Sequence, residues 1–214
     1  MSFIVKVLIG IIMVPFFCKA VSPPSLIPRE VIFGNPSKVD PQISPDGKWV
    51  SFCAPWKGVM NIWLQKVGED NAVPITFDQG RGIQATQWAY DNQHILYVQD
   101  NDGDENWNLY KVDIETKKSA EVTHAKKAKT KVMKLSPHFP EEVIIGLNDR
   151  DPSYHDLYRV NLKTGKNEKM LENNEFLEIF VDGNFQPRLG VKETPEGGNQ
   201  YKIYGAVPDN TIKC

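Results

Sequence analysis

A short motif of a polar residue, a second residue and an aromatic residue recurs four times along this chain. The four copies are Asn61-Ile62-Trp63, Asn108-Leu109-Tyr110, Asp156-Leu157-Tyr158 and Asn199-Gln200-Tyr201, and their aromatic residues are spaced 47, 48 and 43 residues apart. Each copy follows a stretch rich in strand-forming residues and a polar loop, so the repeating unit is a small sheet of several strands. A strand-built period of roughly 40–50 residues is typical of a β-propeller.

The repeat predicts an all-β fold of about four antiparallel sheets, each with four strands, arranged as an incomplete ring. We expect a lead segment at 21–37 and a partial β-propeller at 38–214, with blades at about 38–80, 83–125, 130–172 and 176–214. No segment of useful length has a helical period. In the last blade the chain ends before a convincing fourth strand. We expect each recurring aromatic residue to be structural and to pack against the next sheet.

The first twenty residues have the pattern of a secretory signal peptide. Lys6 supplies a positive charge, and the apolar run from Val7 to Phe17 precedes a small residue, Ala20. This run is shorter than the ~20 residues that cross a bilayer, which favours a signal peptide at 1–20 over an uncleaved membrane anchor at residues 4–17. We therefore predict an exported protein, periplasmic or secreted, with no other membrane segment.

The charge balance argues against a nucleic-acid partner. The formal net charge is −2, whereas nucleic-acid binding calls for a basic face. One basic stretch, from His124 to Lys134, is interpreted as a solvated connection between two blades. Among the three cysteines, Cys53 lies in an apolar stretch and is predicted to be a small buried residue.

An acidic loop is the strongest candidate for a functional surface. Its four carboxylates are Asp100, Asp102, Asp104 and Glu105, predicted to lie between the second and third strands of a blade. They fit recognition of a positively charged substrate group, such as a peptide amino terminus, or contact with another domain. A solvated hairpin loop and a calcium site are the alternatives. The helix-loop-helix calcium pattern fails, because glycine is fourth and the twelfth position is Lys111. We predict no metal site and no cofactor.

The opening of the mature chain resembles a known family. The segment 27–36 leads into Ile43-Ser44-Pro45-Asp46-Gly47-Lys48 and then Gly58-Val59-Met60-Asn61-Ile62-Trp63. This order is similar to the start of the propeller in bacterial prolyl oligopeptidase-family serine peptidases, especially the acylaminoacyl-peptidase-like branch. The segment 100–106, followed by Asn108-Leu109-Tyr110, resembles the second blade of that branch.

This resemblance implies a propeller, usually seven-bladed, that covers an α/β-hydrolase domain with a Ser, Asp and His triad and admits peptides but not folded proteins. No Gly-x-Ser-x-Gly nucleophile motif occurs in the sequence, so we assign no catalytic residue. We therefore expect the N-terminal propeller fragment of an exported serine peptidase, inactive alone, whose peptide substrate is bound through a hydrolase domain absent from this sequence. The alternative is a non-enzymatic periplasmic propeller that binds a protein or peptide, similar to the propeller protein of the Tol system.

Overall fold

The computed structural model describes residues 26–34, 37–83, 85–205 and 211–213. The predicted signal peptide and Cys214 lie outside the described residues. The chain divides into two compact units, residues 1–35 and residues 36–214. The first unit contains a five-residue helix, α1 (Arg29–Phe33), that the sequence pattern did not predict. A single helical turn is too short to show a 3.6-residue period.

The second unit consists of four antiparallel sheets of four strands each, which confirms the predicted fold class. Blade 1 contains β1 (Val39–Ile43), β2 (Trp49–Trp56), β3 (Val59–Lys66) and β4 (Val73–Pro74). Blade 2 contains β5 (Thr86–Trp88), β6 (His94–Gln99), β7 (Asn108–Asp113) and β8 (Ser119–Glu121). Blade 3 contains β9 (Thr130–Leu135), β10 (Glu142–Asp151), β11 (Tyr154–Asn161) and β12 (Asn167–Leu171). Blade 4 contains β13 (Glu178–Val181), β14 (Pro187–Glu193), β15 (Asn199–Ile203) and β16 (Thr211–Lys213).

Strands follow each other in chain order across every blade, and the described blades do not close into a ring. The strand β16 corrects one prediction, because the last blade was expected to lack a convincing fourth strand. This strand pairs with β15 and places Ile212 opposite Tyr201. Three residues are too few to show the alternation of polar and apolar side chains that identifies a strand in sequence.

Side chains of Asp and Asn close the tight turns between strands. Asp46 accepts a hydrogen bond from the Ser44 hydroxyl at 2.7 Å, and Gly47 at φ 73° completes the β1–β2 turn. In the β7–β8 turn, Asp113 accepts the amide hydrogen of Thr116 at 2.7 Å. These local bonds let the sequence define the hairpins before any packing between sheets.

Three apolar clusters hold neighbouring blades together. Cluster one joins blades 1 and 2 and is centred on Cys53, Ile62, Ile95 and Val112. Cluster two joins blades 2 and 3 through Leu109, Val143, Ile145 and Val160. Cluster three joins blades 3 and 4 through Ile144, Leu157, Ile179 and Phe185. A buried hydrogen bond of 2.9 Å from Trp88 Nε1 to Ser51 Oγ also crosses cluster one. Cys53 is fully buried there, as predicted, and burial raises the pKa of its thiol to about 12.

Two of the recurring aromatic residues, Tyr110 and Tyr158, face the preceding sheet rather than the next one, which corrects the predicted direction for these two. Tyr110 stacks on Tyr97 with ring centroids 5.4 Å apart and packs against cluster one, while Tyr158 packs against cluster two. The neighbouring motif residues Leu109 and Leu157 are fully buried in the cluster shared with the following blade. Successive strand residues point to opposite faces, so one motif supplies both interfaces of its blade.

Candidate functional site

The acidic loop lies where blade connections and strand loops meet at one end of the sheets. It joins β6 to β7, as predicted. Arg81, in the connection from blade 1 to blade 2, pairs with Asp100. Lys129, in the connection from blade 2 to blade 3, pairs with Glu105. We call this region the loop end.

Asp100 is a buried anchor of the loop. Its side chain is only 1% exposed, and Arg81 Nε lies 3.1 Å from its Oδ1. The backbone amide of Glu105 also donates to Asp100 Oδ2 at 3.3 Å. A buried carboxylate that is paired in this way is held in place and is not presented to solvent.

Asp104 organises the exposed part of the loop. It accepts hydrogen bonds from the side-chain and backbone nitrogens of Asn106 at 2.9 and 3.0 Å, and from the backbone amide of Asn101 at 3.2 Å. The bonds from Asn106 hold the pKa of Asp104 below its usual value. This carboxylate therefore stays ionised at the surface over a wide pH range.

Asp102 and Glu105 are the other two exposed carboxylates. Both adopt a positive φ, 52° and 57°, on either side of the turn that contains Gly103 at φ 84°. The Glu105 carboxylate lies 3.3 Å from Lys129 Nζ. The four predicted site residues thus lie in one loop but do not form one cluster, because the Asp100 side chain is buried while the other three carboxylates are exposed. In the part of the chain that the structure describes, no three His, Cys, Asp or Glu side chains are placed to hold a metal ion.

A cavity of about 370 Å³ opens beside Asp100. It is lined by Arg81, Gly82, Ala85, Val98, Asp100 and Trp107. Its wall is largely apolar, with the half-exposed guanidinium of Arg81 as a polar group. Small-molecule sites commonly combine an apolar wall with a few fixed polar groups, so this cavity can hold an apolar side chain beside a hydrogen-bonding group.

The predicted basic stretch is a blade connection only over its first part. Residues 124–129 lie between β8 and β9, with exposed Lys126 and Lys127 and with Ala128 buried to 1% exposure, whereas Lys131 and Lys134 belong to β9. It borders a second depression, of about 560 Å³, whose other side includes Asp104 and Asn106. The loop end therefore presents acidic and basic groups on facing walls.

The first residue of the recurring motif has a role that the sequence analysis missed. Asn61 Oδ1 accepts the amide hydrogen of the residue 17 positions later, Asp78, at 2.7 Å. Asn108 and Asp156 repeat this contact at the same separation, with the amides of residues 125 and 173. Each bond fixes the chain as it leaves the fourth strand and so positions the loop end. The sequence signal for this role is the Asn or Asp that stands two positions before each aromatic residue.

One histidine of blade 3 lies in a strand. His155 belongs to β11, because β10 and β11 are joined by a turn of two residues only, Pro152 and Ser153. Burial lowers the pKa of His155, and the positive charges of Lys131 and Lys129 add to that effect. The long loop of blade 2 consequently has no counterpart in blade 3.

Sequence comparison identifies two similar peptidases. The chain is 36% identical to dipeptidyl aminopeptidase BIII of Pseudoxanthomonas mexicana over 184 residues, which are 85% of this chain and 27% of that protein. It is 34% identical to dipeptidyl peptidase family member 6 of Caenorhabditis elegans over 179 residues, 80% of this chain and 24% of that protein. The chain thus spans about a quarter of the length of these curated relatives. No protein-family model matches it.

Structural comparison shows the same fold in peptidases and in Tol proteins. A structure from a study of two prolyl endopeptidases matches with a TM-score of 0.60 at 12% identity, over 83% of this chain and 28% of the other. TolB from Acinetobacter baumannii matches with a TM-score of 0.53 at 16% identity, over 82% of this chain and 43% of the other. At these identities the likeness concerns the fold, so the sequence relatives distinguish between the two classes. The chain therefore matches the propeller part of prolyl oligopeptidase-like peptidases.

Proposed function

We propose that this chain serves as the propeller of an exported prolyl oligopeptidase-like serine peptidase and controls which peptides reach a hydrolase domain. The observation that carries this proposal is the 36% identity to a dipeptidyl aminopeptidase over 85% of the chain. The reaction of the whole enzyme would be hydrolysis of short peptides, with nucleophile, base and oxyanion hole on the hydrolase domain. The propeller would act by restricting access.

The loop end is the surface that we assign to peptide or domain contact. Its exposed carboxylates, on Asp102, Asp104 and Glu105, suit a positively charged group such as a peptide amino terminus. Asp100 would contribute indirectly, by holding Arg81 at the wall of the neighbouring cavity. This assignment favours substrates with a free amino terminus and a small apolar side chain.

A non-enzymatic propeller of the Tol type is the second candidate. It is favoured by the fold likeness to TolB, and the described residues supply no argument beyond the fold. The peptidase proposal has in addition a sequence likeness above 30% to two peptidases. We therefore rank the peptidase first.

A chimera tests this proposal directly. This chain would replace the matched 184-residue segment of the Pseudoxanthomonas mexicana relative. We expect the chimera to cleave chromogenic dipeptide substrates while leaving a folded protein such as native ribonuclease intact. A control chimera with the TolB segment should be inactive, because it shares the fold alone. A folded but inactive chimera of the present chain contradicts the proposal.

Export is a separate proposal that rests on residues 1–20. The charged start and the short apolar run support cleavage near Ala20. No helix among the described residues has the length and apolar character needed to cross a membrane. Expression with a reporter and cell fractionation should recover a shortened, exported product. A full-length product in the membrane fraction would instead support the anchor at residues 4–17.

A further inference from the structure

Three Asp-Gly steps occur in the sequence, and at each of them the chain can react with itself. They are Asp46-Gly47, Asp102-Gly103 and Asp182-Gly183. The backbone nitrogen that follows an aspartate can attack the side-chain carboxyl carbon and close a five-membered ring. Glycine favours this attack because it has no Cβ atom to block the close approach. The three steps share the same local chemistry, so the surrounding structure determines which of them reacts.

The step in the β1–β2 turn is restrained at both reacting groups. The Asp46 carboxylate accepts the Ser44 hydroxyl at 2.7 Å and the Lys48 amide at 3.2 Å, and its second oxygen lies 3.0 Å from Lys48 Nζ. The Ser44 hydroxyl and Lys48 lower the pKa of Asp46 to about 2, which keeps the carboxylate ionised and makes its carbon a poor electrophile. The Gly47 amide donates to the Ser44 carbonyl at 2.9 Å. A reaction at this step must therefore break bonds of both the carboxylate and the amide.

The step in the β13–β14 turn is restrained at its carboxylate. Asp182 Oδ1 accepts the amides of Asn184 and Gln186 at 2.8 and 2.9 Å. Its second oxygen accepts a hydrogen bond from Arg188 Nε at 2.7 Å. The Gln186 amide and Arg188 hold the pKa of Asp182 below its usual value, so this carboxylate is also ionised and held away from the neighbouring amide.

The step in the acidic loop has neither restraint. The hydrogen bonds to carboxylates of this loop go to Asp100 and Asp104. Among the residues that the structure describes, none donates to the Asp102 carboxylate, and the amide of Gly103 has no hydrogen-bond partner. Both residues are exposed, so the Asp102 side chain can rotate toward the Gly103 nitrogen without losing a contact.

We propose that Asp102-Gly103 is a site of spontaneous isoaspartate formation in the folded chain. The Gly103 nitrogen loses its proton and forms a bond to Asp102 Cγ, while a carboxyl oxygen leaves as water, which gives a succinimide ring. Water then adds to one of the two ring carbonyl groups. Addition at the Asp102 main-chain carbonyl breaks its bond to the Gly103 nitrogen and leaves a backbone that runs through Cβ and Cγ, which is isoaspartate. Addition at Cγ restores aspartate, so the mass of the chain is unchanged in both cases.

The product changes the shape of the acidic loop but not its charge. The backbone gains one methylene group between Asp102 and Gly103, and the carboxylate moves to the α-carbon. The turn in which the Asp104 amide donates to the Asn101 carbonyl at 3.1 Å then contains an additional backbone atom. A consequence for peptide or domain contact rests on the proposed function of the loop end, whereas the reaction itself does not.

Mapping of isoaspartate in the full chain tests the proposal. The folded chain is incubated at neutral pH and physiological temperature for several weeks, digested, and analysed by electron-transfer mass spectrometry, which distinguishes isoaspartate from aspartate. We expect isoaspartate to form at residue 102 about 10-fold or more faster than at residues 46 and 182, because those two steps must first lose hydrogen bonds to a charged carboxylate. In guanidinium chloride the fold is lost, and the three steps should react at similar rates.

The variant Asp102→Glu provides a matched control. It keeps the charge of the loop, but its reaction would require the slower closure of a six-membered ring, so modification at residue 102 should fall below detection. Total isoaspartate, measured with an isoaspartyl methyltransferase, should fall by the amount that maps to residue 102 in the wild-type chain. Absence of isoaspartate at residue 102 in the folded wild-type chain overturns the proposal, as do equal rates at the three steps while circular dichroism shows folded protein.

Discussion

Single polar residues in the recurring motif hold the blade connections in place. Asn61 is fully buried and bonds both to the Thr76 hydroxyl at 2.9 Å and to the backbone of Asp78. In blade 3 an aspartate, Asp156, makes the equivalent bond and adds an ion pair with Arg150. The same contact to the backbone is therefore made by a neutral amide in blade 1 and by a charged carboxylate in blade 3, and the two contacts respond differently to pH.

Asn61→Ala should destabilise the chain by about 2–4 kcal/mol, since it leaves several buried backbone and hydroxyl groups without partners. Urea unfolding monitored by fluorescence measures this loss. The control Asn71→Ala removes an exposed amide that bonds only to Glu69, and should change stability by less than about 0.5 kcal/mol. Equal effects of the two variants would show that Asn61 has no special role.

Asp156→Asn should reduce stability at neutral pH by about 2–3 kcal/mol, because Arg150 and Lys169 lose their buried counter-charge while staying partly exposed. Burial opposes ionisation of Asp156, but Arg150, the Asn173 amide and Lys169 outweigh it and hold its pKa well below the usual range. The stabilisation is therefore complete above the unfolded-state pKa of about 4 and is lost as the pH falls further.

Urea unfolding at neutral and acidic pH checks the sign of this effect. The stability difference between the wild-type chain and Asp156→Asn should shrink below about pH 4, because the carboxylate then takes up a proton in the unfolded chain while it stays ionised in the folded chain. Glu168→Gln, at an exposed carboxylate in the same blade, is the control and should have little effect at either pH. A difference that stays constant with pH would rule out a charge effect.

At the scale of the secondary-structure elements, glycine is required where a strand lies close to a segment that connects two blades. Gly190 in β14 lies directly under Phe176, which is 5% exposed and belongs to cluster three. Gly183, in the neighbouring β13–β14 turn, has no side-chain atom nearer than 3.9 Å to the position of a Cβ. The two positions look alike in the sequence and differ only in their surroundings.

Gly190→Ala should destabilise blade 4 by about 1–3 kcal/mol, because a buried ring must move to admit the methyl group. Gly183→Ala should be close to neutral. Thermal unfolding of the two variants measures the contrast. A neutral Gly190→Ala variant would mean that Phe176 can move without cost.

For the whole molecule, the free energy of unfolding depends on the three apolar clusters, each of which joins two neighbouring blades. Such an arrangement allows blades at one end to open while others stay folded. Ile179 in cluster three and Ile95 in cluster one are both almost fully buried, at 2% and 0% exposure. They provide matched positions at opposite ends of the array.

Ile179→Ala should cost about 2–4 kcal/mol and lower amide protection mainly in β13–β15. Ile95→Ala should instead lower protection in blades 1 and 2. Hydrogen exchange read by mass spectrometry separates the two patterns. Uniform loss of protection across all four blades in both variants would indicate a single cooperative unit.

The sequence by itself determined the repeat, the strands of each blade except β16, the hairpin turns and the resemblance to peptidases. These features depend on local alternation and on turn residues such as Pro45, Asp46 and Gly47, which act over a few positions. It also placed the acidic loop between β6 and β7 without separating the roles of its carboxylates.

Only the tertiary structure decided which partners each side chain contacts. Asp100 became a buried partner of Arg81 because residues 19 positions apart meet at the loop end. Tyr110 and Tyr158 face the preceding blade, and β16 completes the last sheet through a strand pairing that its three residues do not reveal in the sequence. Contacts between distant segments depend on packing geometry, which the order of residues along one strand does not reveal.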